Sequence, residues 1–346
     1  MCLCAYEHDS HIKVIGIGSL GINAINGMIP ANLERVDFIA IDTAPENLSA
    51  SKASQKLVFD PEAIRANNEI AETYRQQLIT LTDEADIIFI VCGLGGSCGA
   101  TLLPFIAESI AKIGLTIGAV TLPFHFEGKE RAKHALASLK HFSQFVDSTI
   151  IIPSYHLQNA FDDHDTDKLF SMATSKLSRA VLSIASSLTC KADHFCFEFA
   201  NLLTAMSNSR ISLYGEGRAP LAPNAAENVI RDPLLKDLPC LAYKAALIPI
   251  IDYNITLEDF ASAAEILEAK LKNQFVEEPE MIINLYTPQT APDEVSISLF
   301  ATGIETEAFL TNAEEVYGIQ PLRPHVAEAL KFSLQKHHKL YEDLVK

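Results

Sequence analysis

The chain has 346 residues, 48% of them hydrophobic, and a formal charge of −17. That length suffices for two domains with real cores, and a surface this acidic repels nucleic acid and anionic lipid. No apolar run reaches the roughly 18 residues of a membrane helix, so direct membrane insertion is not expected.

The first segment, MCLCAYEHDSHIK, lacks a signal peptide's basic and apolar regions. Cys2 and Cys4 have no second pair to complete a metal site, and the seven cysteines show no pairing pattern. They are read as reduced thiols, which implies a cytoplasmic location and no protein-held metal. From residue 12 to about 155, strand and helix patterns alternate. The strand runs are IKVIGI, VDFIAI, DIIFIV, TIGAVTL and STIIIP, with helical runs such as PEAIRANNEIAETYRQQLITL between them. That alternation predicts an α/β fold with a parallel sheet covered by helices on both faces. In DKLFSMATSKLSRAVLSIASSL, Leu169, Met172, Ala173, Leu177, Ala180, Val181, Ile184 and Leu188 recur at steps of three and four. This is one long helix with a broad apolar stripe, as expected between two domains. Beyond it, YKAALIPIIDYN, EMIINLYT and EVSISLFATGI read as strands and LEDFASAAEILEAKL as a helix, so a smaller mixed sheet is expected. The end places Val326, Leu330, Leu334, Tyr341 and Val345 on one helical face, expected to pack back on the second domain.

Two glycine loops carry the chemistry. GIGSLGINAINGM follows the first strand and opens a helix with Gly16, Gly18, Ser19, Leu20, Gly21 and Asn23. CGLGGSCGAT lies between IIFIV and TLLPFIAESIAKI and brings Gly93, Gly95, Gly96, Ser97, Cys98 and Gly99. Glycine permits close backbone approach, and a helix N-terminus offers unpaired N–H groups and partial positive charge. Together they form an anion site, most often for phosphate. The plainer reading is a tight turn that needs one or two glycines for packing. The first loop with Asp42, about twenty residues on, also fits a dinucleotide-binding protein, whose ribose is held by such an acid. That rival predicts one glycine loop, whereas two suggest phosphates gripped from both sides.

These residues resemble the FtsZ family, bacterial relatives of tubulin, over about Ile12 to Ile304. GIGSLGINAINGM resembles the family's first phosphate loop, and GLGGSCGAT stands where its GGGTGTG loop lies. TLPFHFEGKERA, MSNSRISLYGEGRA and FATGI follow in family order. The resemblance implies a tubulin/FtsZ-type fold: a GTP-binding domain over 1–165, a connecting helix over 166–190, a second domain over 191–305 and a helical tail over 306–346. It also implies GTP or GDP as ligand, with Mg2+ a further candidate, and a head-to-tail homopolymer. Glu127 and Arg131 in FEGKER stand where the family reaches the sugar and phosphates. Phe170 stands where it stacks on guanine, and Thr174 and Ser175 occupy the edge-reading positions, usually Asn and Asp.

The chain departs from the family pattern where catalysis is concerned. The water-positioning loop, N-x-D-x-x-D in the family, aligns with CFEFANLLTAM. Cys196 replaces the asparagine, Glu198 stands at the first acid and Asn201 replaces the second. Glu198 and Asn201 are the candidate catalytic residues. An amide takes no proton, and loss of a positioned acid–base group typically costs about 10²–10⁴-fold in rate. The glycine-rich segment over the γ-phosphate is missing from LVFDPEAIRANNEI, and SYHLQ follows IIIP where the family has NDRL. The family's tail peptide is absent, so its usual tail-binding partners are not expected. Three functions are therefore carried forward. They are a filament-forming GTPase with weak hydrolysis and a cell-division link, a pseudo-GTPase that assembles without turnover, and an NAD-dependent oxidoreductase.

Overall fold

The computed structural model describes residues 10–111, 113–160, 165–189, 199–251, 255–271, 279–286 and 294–319. Cys2, Cys4, Cys196, Glu198 and the expected helix over 326–345 lie outside them.

The first half runs β1 (Ile12–Ile17), α1 (Gly18–Met28), β2 (Val36–Asp42), α2 (Pro45–Ser49), β3 (Gln55–Val58), α3 (Pro61–Ala66) and α4 (Asn68–Thr82). It continues with β4 (Ile87–Gly93), α5 (Ser97–Ile110), β5 (Leu115–Leu122), α6 (Lys129–Phe142), β6 (Ser148–Pro153) and α7 (Ser154–Ala160). The second half follows α8 (Thr166–Thr189) and comprises α9 (Phe199–Met206), β7 (Arg210–Ala219), α10 (Ala222–Ile230), β8 (Ala245–Ile251), α11 (Leu257–Leu271), β9 (Glu280–Tyr286), β10 (Val295–Ile304) and α12 (Thr306–Val316).

The strands form one ten-stranded sheet in the order β3-β2-β1-β4-β5-β6-β7-β10-β8-β9. From β3 to β7 every pairing is parallel. The apolar runs are continuous because both faces are covered. In β4, Ile88, Ile90 and Cys92 face one core, while Ile87, Phe89 and Val91 face the other. Residues of α4, α5 and α6 fill the first core, and α1 and α8 fill the second.

Three differences from the sequence reading have physical causes. PEAIRANNEIAETYRQQLITL is two helices, not one. Asn67 is extended, and its side chain accepts from the N–H groups of Glu69 and Ile70 to start α4 anew. β7 is a strand within MSNSRISLYGEGRA, where no strand was expected. Its apolar alternation is diluted by Gly215 and Gly217, which leave room for Leu235 and for the backbone of α10. The second-half strands do form a mixed sheet, with β10 antiparallel to β7 and β8, and β8 parallel to β9. That sheet is not separate, because β6 pairs with β7 and joins the two halves.

α8 is held to both halves. Ser178 donates to the carbonyl of Ala24 at 3.0 Å. On the other side, Lys176 Nζ lies 2.6 Å from Asp232 and 3.1 Å from Glu216, and Arg179 reaches Glu216 at 2.8 Å. A second seam lies at α7. Tyr155 donates to Asp237 at 3.0 Å, and His156 Nε2 lies 2.9 Å from the same oxygen, off the axis of a good hydrogen bond. Burial alone would raise the Asp237 carboxyl. The contact and charge of His156, with Tyr155 and Asn312, outweigh it and hold the carboxyl below its ordinary range. Beyond α12, Tyr317 donates to the carbonyl of Pro123 at 2.6 Å.

Candidate functional site

Strands β1, β4, β5 and β6 end on the same edge of the sheet. From β1 the chain turns into α1 on one face, and from β4 into α5 on the other. This is the switch point of a doubly wound sheet, where ligands of such folds bind. A cleft of about 340 Å³ opens there, within the size range of small-molecule sites.

Both helices that start at the cleft lack a capping side chain. α1 follows Ile17 and α5 follows Gly96, and neither N-cap makes a side-chain hydrogen bond. Their first N–H groups therefore point at the cleft without a protein acceptor from the cap, which is the electrostatic preparation an anion requires. Close approach explains Gly21, where a Cβ would stand 2.3 Å from the carbonyl oxygen of Val91. Gly95 needs its positive φ of 87°. By contrast, a Cβ on Gly96 would meet nothing within 4 Å, so the backbone there is open to a ligand.

The walls are side chains of mixed kind. Gly18, Ser19, Leu20 and Asn23 come from the first loop, and Gly93, Gly96, Cys98 and Gly99 from the second. Thr121, Phe124, Glu127, Arg131 and Ser154 form another side, and Phe170, Ala173 and Thr174 come from α8. Glu127 is engaged twice: it accepts from the Phe124 N–H at 2.8 Å and pairs with Arg131 Nε at 3.0 Å. Ser154 is buried, and its hydroxyl has no partner among the described residues.

A sequence profile described as the Tubulin/FtsZ family, GTPase domain, matches residues 11–162. The cell division protein FtsZ of Neisseria gonorrhoeae is 31% identical over an alignment of 341 positions that covers 92% of this chain and 86% of that protein. This chain belongs to the FtsZ family. Among solved structures, an FtsZ mutant from M. jannaschii aligns with a TM-score of 0.75 at 27% identity, covering 86% of this chain and 92% of that one. CetZ from Methanosaeta thermophila aligns with a TM-score of 0.71 at 16% identity over 96% of each chain, a likeness of fold alone.

Within this FtsZ-family cleft the structure brings together Gly18, Ser19, Leu20, Asn23, Gly93, Gly96, Cys98, Gly99, Glu127, Arg131 and Phe170. Gly16, Gly21 and Gly95 sit behind the lining and support it. Ser97 begins α5, and its side chain lies outside the description. Ser175 lies elsewhere: it is exposed beside Ser171, Lys176 and Arg179. Successive helix residues point about 100° apart, so only Thr174 of that pair faces the cleft, and its hydroxyl donates to the Phe170 carbonyl at 2.8 Å. Asn201 is partly exposed on α9 and does not line the cleft. Asp42 is buried behind Cys98, with Oδ1 taken by the Ala44 N–H and the Asn47 amide. It is not presented to a ribose, which removes the dinucleotide reading's second support. Sequence reasoning missed Ser154, Thr121 and Phe124. Ser154 opens SYHLQ, which departs from the family's NDRL and so drew no role, and the ends of β5 and β6 bring these residues to the cleft.

Proposed function

We propose that this protein binds GTP and GDP in the cleft, assembles head to tail with copies of itself, and hydrolyses GTP slowly. The observation that carries this reading is the meeting of two uncapped helix N-termini and an aromatic ring, Phe170, in one cleft. The N–H groups at Gly18–Leu20 and Gly96–Cys98 hold the phosphates. Glu127 and Arg131 hold the sugar side, and Phe170 takes the base.

Among the described residues no three His, Cys, Asp or Glu side chains form a metal cage. Mg2+, if it accompanies the nucleotide, would be held mainly by the phosphates with few protein ligands. When bound it neutralises phosphate charge. Asp42, whose Oδ2 is buried and unpartnered, lies behind Cys98 of the second glycine loop.

The named relative is a cell division protein, and FtsZ of M. jannaschii has been solved as a dimer. Self-assembly and a division role in the cytoplasm follow as the reading for this chain. Asn201, outside its own cleft, is assigned to the water of a neighbouring subunit together with Glu198. An amide in place of an acid makes turnover slow. The same substitution supports the second reading, a pseudo-GTPase. Titration with GTP, GDP, ATP and NAD, followed by phosphate release at a concentration where filaments are confirmed, decides between them. No saturable binding of any nucleotide removes the first reading, and binding with assembly but background phosphate release selects the second.

A further inference from the structure

Three phenylalanines form one ring cluster at the cleft. Phe124 and Phe126 stack in parallel, with centroids 5.1 Å apart and planes 10° apart. Phe170 stands perpendicular to both, at 5.2 Å and 82° from Phe124 and at 5.9 Å and 85° from Phe126. Phe124 and Phe170 line the cleft. Phe124 is 1% exposed and belongs to the core, whereas Phe126 is 46% exposed.

The turn that carries Phe126 is fixed at both ends. Glu127 accepts from the Phe124 N–H through its side chain, and its own N–H is bonded to the Phe124 carbonyl at 3.1 Å. Phe126 is thus placed by the residues that build the cleft wall. A phenyl ring turns easily about its Cβ–Cγ bond, a broad torsion with weak intrinsic preference. Two parallel rings, each perpendicular to Phe170, hold its plane at one angle. Perpendicular aromatic pairs are favourable beyond their buried area, so the arrangement is stable before any ligand arrives.

We infer that Phe126 is a positioning residue for the nucleobase: with Phe124 it sets the plane on which Phe170 offers its face to the base. This rests on the nucleotide reading given above. Preorganising a stacking surface raises affinity for the base without touching the phosphates. Because Phe126 is half exposed, its removal leaves the core intact.

The test compares GTP with inorganic tripolyphosphate, which has no base, on the full chain. Phe126→Ala is expected to weaken GTP binding by about three- to tenfold, the worth of one aromatic pair, and to leave tripolyphosphate unchanged. Phe126→Tyr keeps the ring and should restore GTP affinity. Phe126→Leu keeps apolar volume without a plane and should stay weak; it also serves if the alanine variant folds poorly. Equal loss for both ligands, no loss for GTP, or full rescue by leucine overturns the inference. A failure of the nucleotide reading shows instead in the wild type, as no GTP binding or none tighter than tripolyphosphate, and the inference falls with it.

Discussion

The glycines of the two loops divide by what stands beside them. Gly21 is pressed against β4, and an added Cβ would need the Val91 carbonyl to move. Gly21→Ala should therefore destabilise the fold by about 1–3 kcal/mol, the usual cost of overpacking, read as a lower urea midpoint. Gly96 has open space, so Gly96→Val should keep that midpoint. Its side chain would stand before the N-terminus of α5, and nucleotide affinity should fall about tenfold or more, as when a charge-assisted hydrogen bond is lost. Unchanged affinity would place the phosphate elsewhere. Asn201 poses the catalytic question at the same scale. Asn201→Asp restores an acid at nearly constant size and should raise phosphate release by about tenfold or more, while Glu198→Ala should abolish it without preventing binding. If both variants stay at background while filaments form, this loop carries no chemistry.

Between elements, polar contacts do the joining that apolar packing does within each half. Lys176 on α8 is almost buried between Asp232 and Glu216, and Tyr214 donates to Glu216 at 2.9 Å. Lys176→Ala takes the cation from buried Asp232 and leaves Glu216 with Arg179 alone. Breaking such a network from one side costs about 3–5 kcal/mol, which equilibrium urea unfolding should report; a loss under 1 kcal/mol would make the contact incidental. The seam at α7 titrates. Asp237 is held below the ordinary carboxylate range in the fold, so its contribution is fully present above the unfolded value near 3.9. It is lost as pH falls through the lower folded value. Asp237→Asn should accordingly flatten the acid limb of the stability curve below about pH 4 and lower stability at pH 7. A parallel acid limb in wild type and variant would show that Asp237 is not the group responsible.

At the scale of the whole molecule, the cleft and the assembly face make different demands. Turnover needs a few groups in alignment, while a filament contact uses broad surface. In the region leading into the second half, Leu202 lies in the core with Phe199 and Leu203 packed against it, which holds this segment in place whether or not the proposed catalytic positions beside it still act. Straight or paired filaments with slow phosphate release are the expected outcome, seen by electron microscopy and light scattering across nucleotide states. A protein that stays monomeric at high concentration in every state would refute it. An open head-to-tail contact, as proposed, would give a filament rather than a closed ring.

Much of this was legible in the chain itself, and the reason is local. Strand–glycine–helix spacing and continuous apolar runs are set by neighbours in sequence, so the two loops, the parallel sheet and the long helix could be read directly. Family resemblance singled out Phe170, Glu127 and Arg131, and the fold brings all three to the cleft. What depended on distant partners could not be read. That Thr174 and not Ser175 faces the cleft is decided by the rotation of α8 against α1 and β5. That one sheet spans both halves is decided by the pairing of β6 with β7. The place of Ser154 was hidden because SYHLQ departs from the family's NDRL; only the end of β6 brings it to the cleft wall. Sequence determines which groups have a local reason to be where they are. Tertiary structure decides which of them meet, because meeting is a property of packing between elements far apart in the chain.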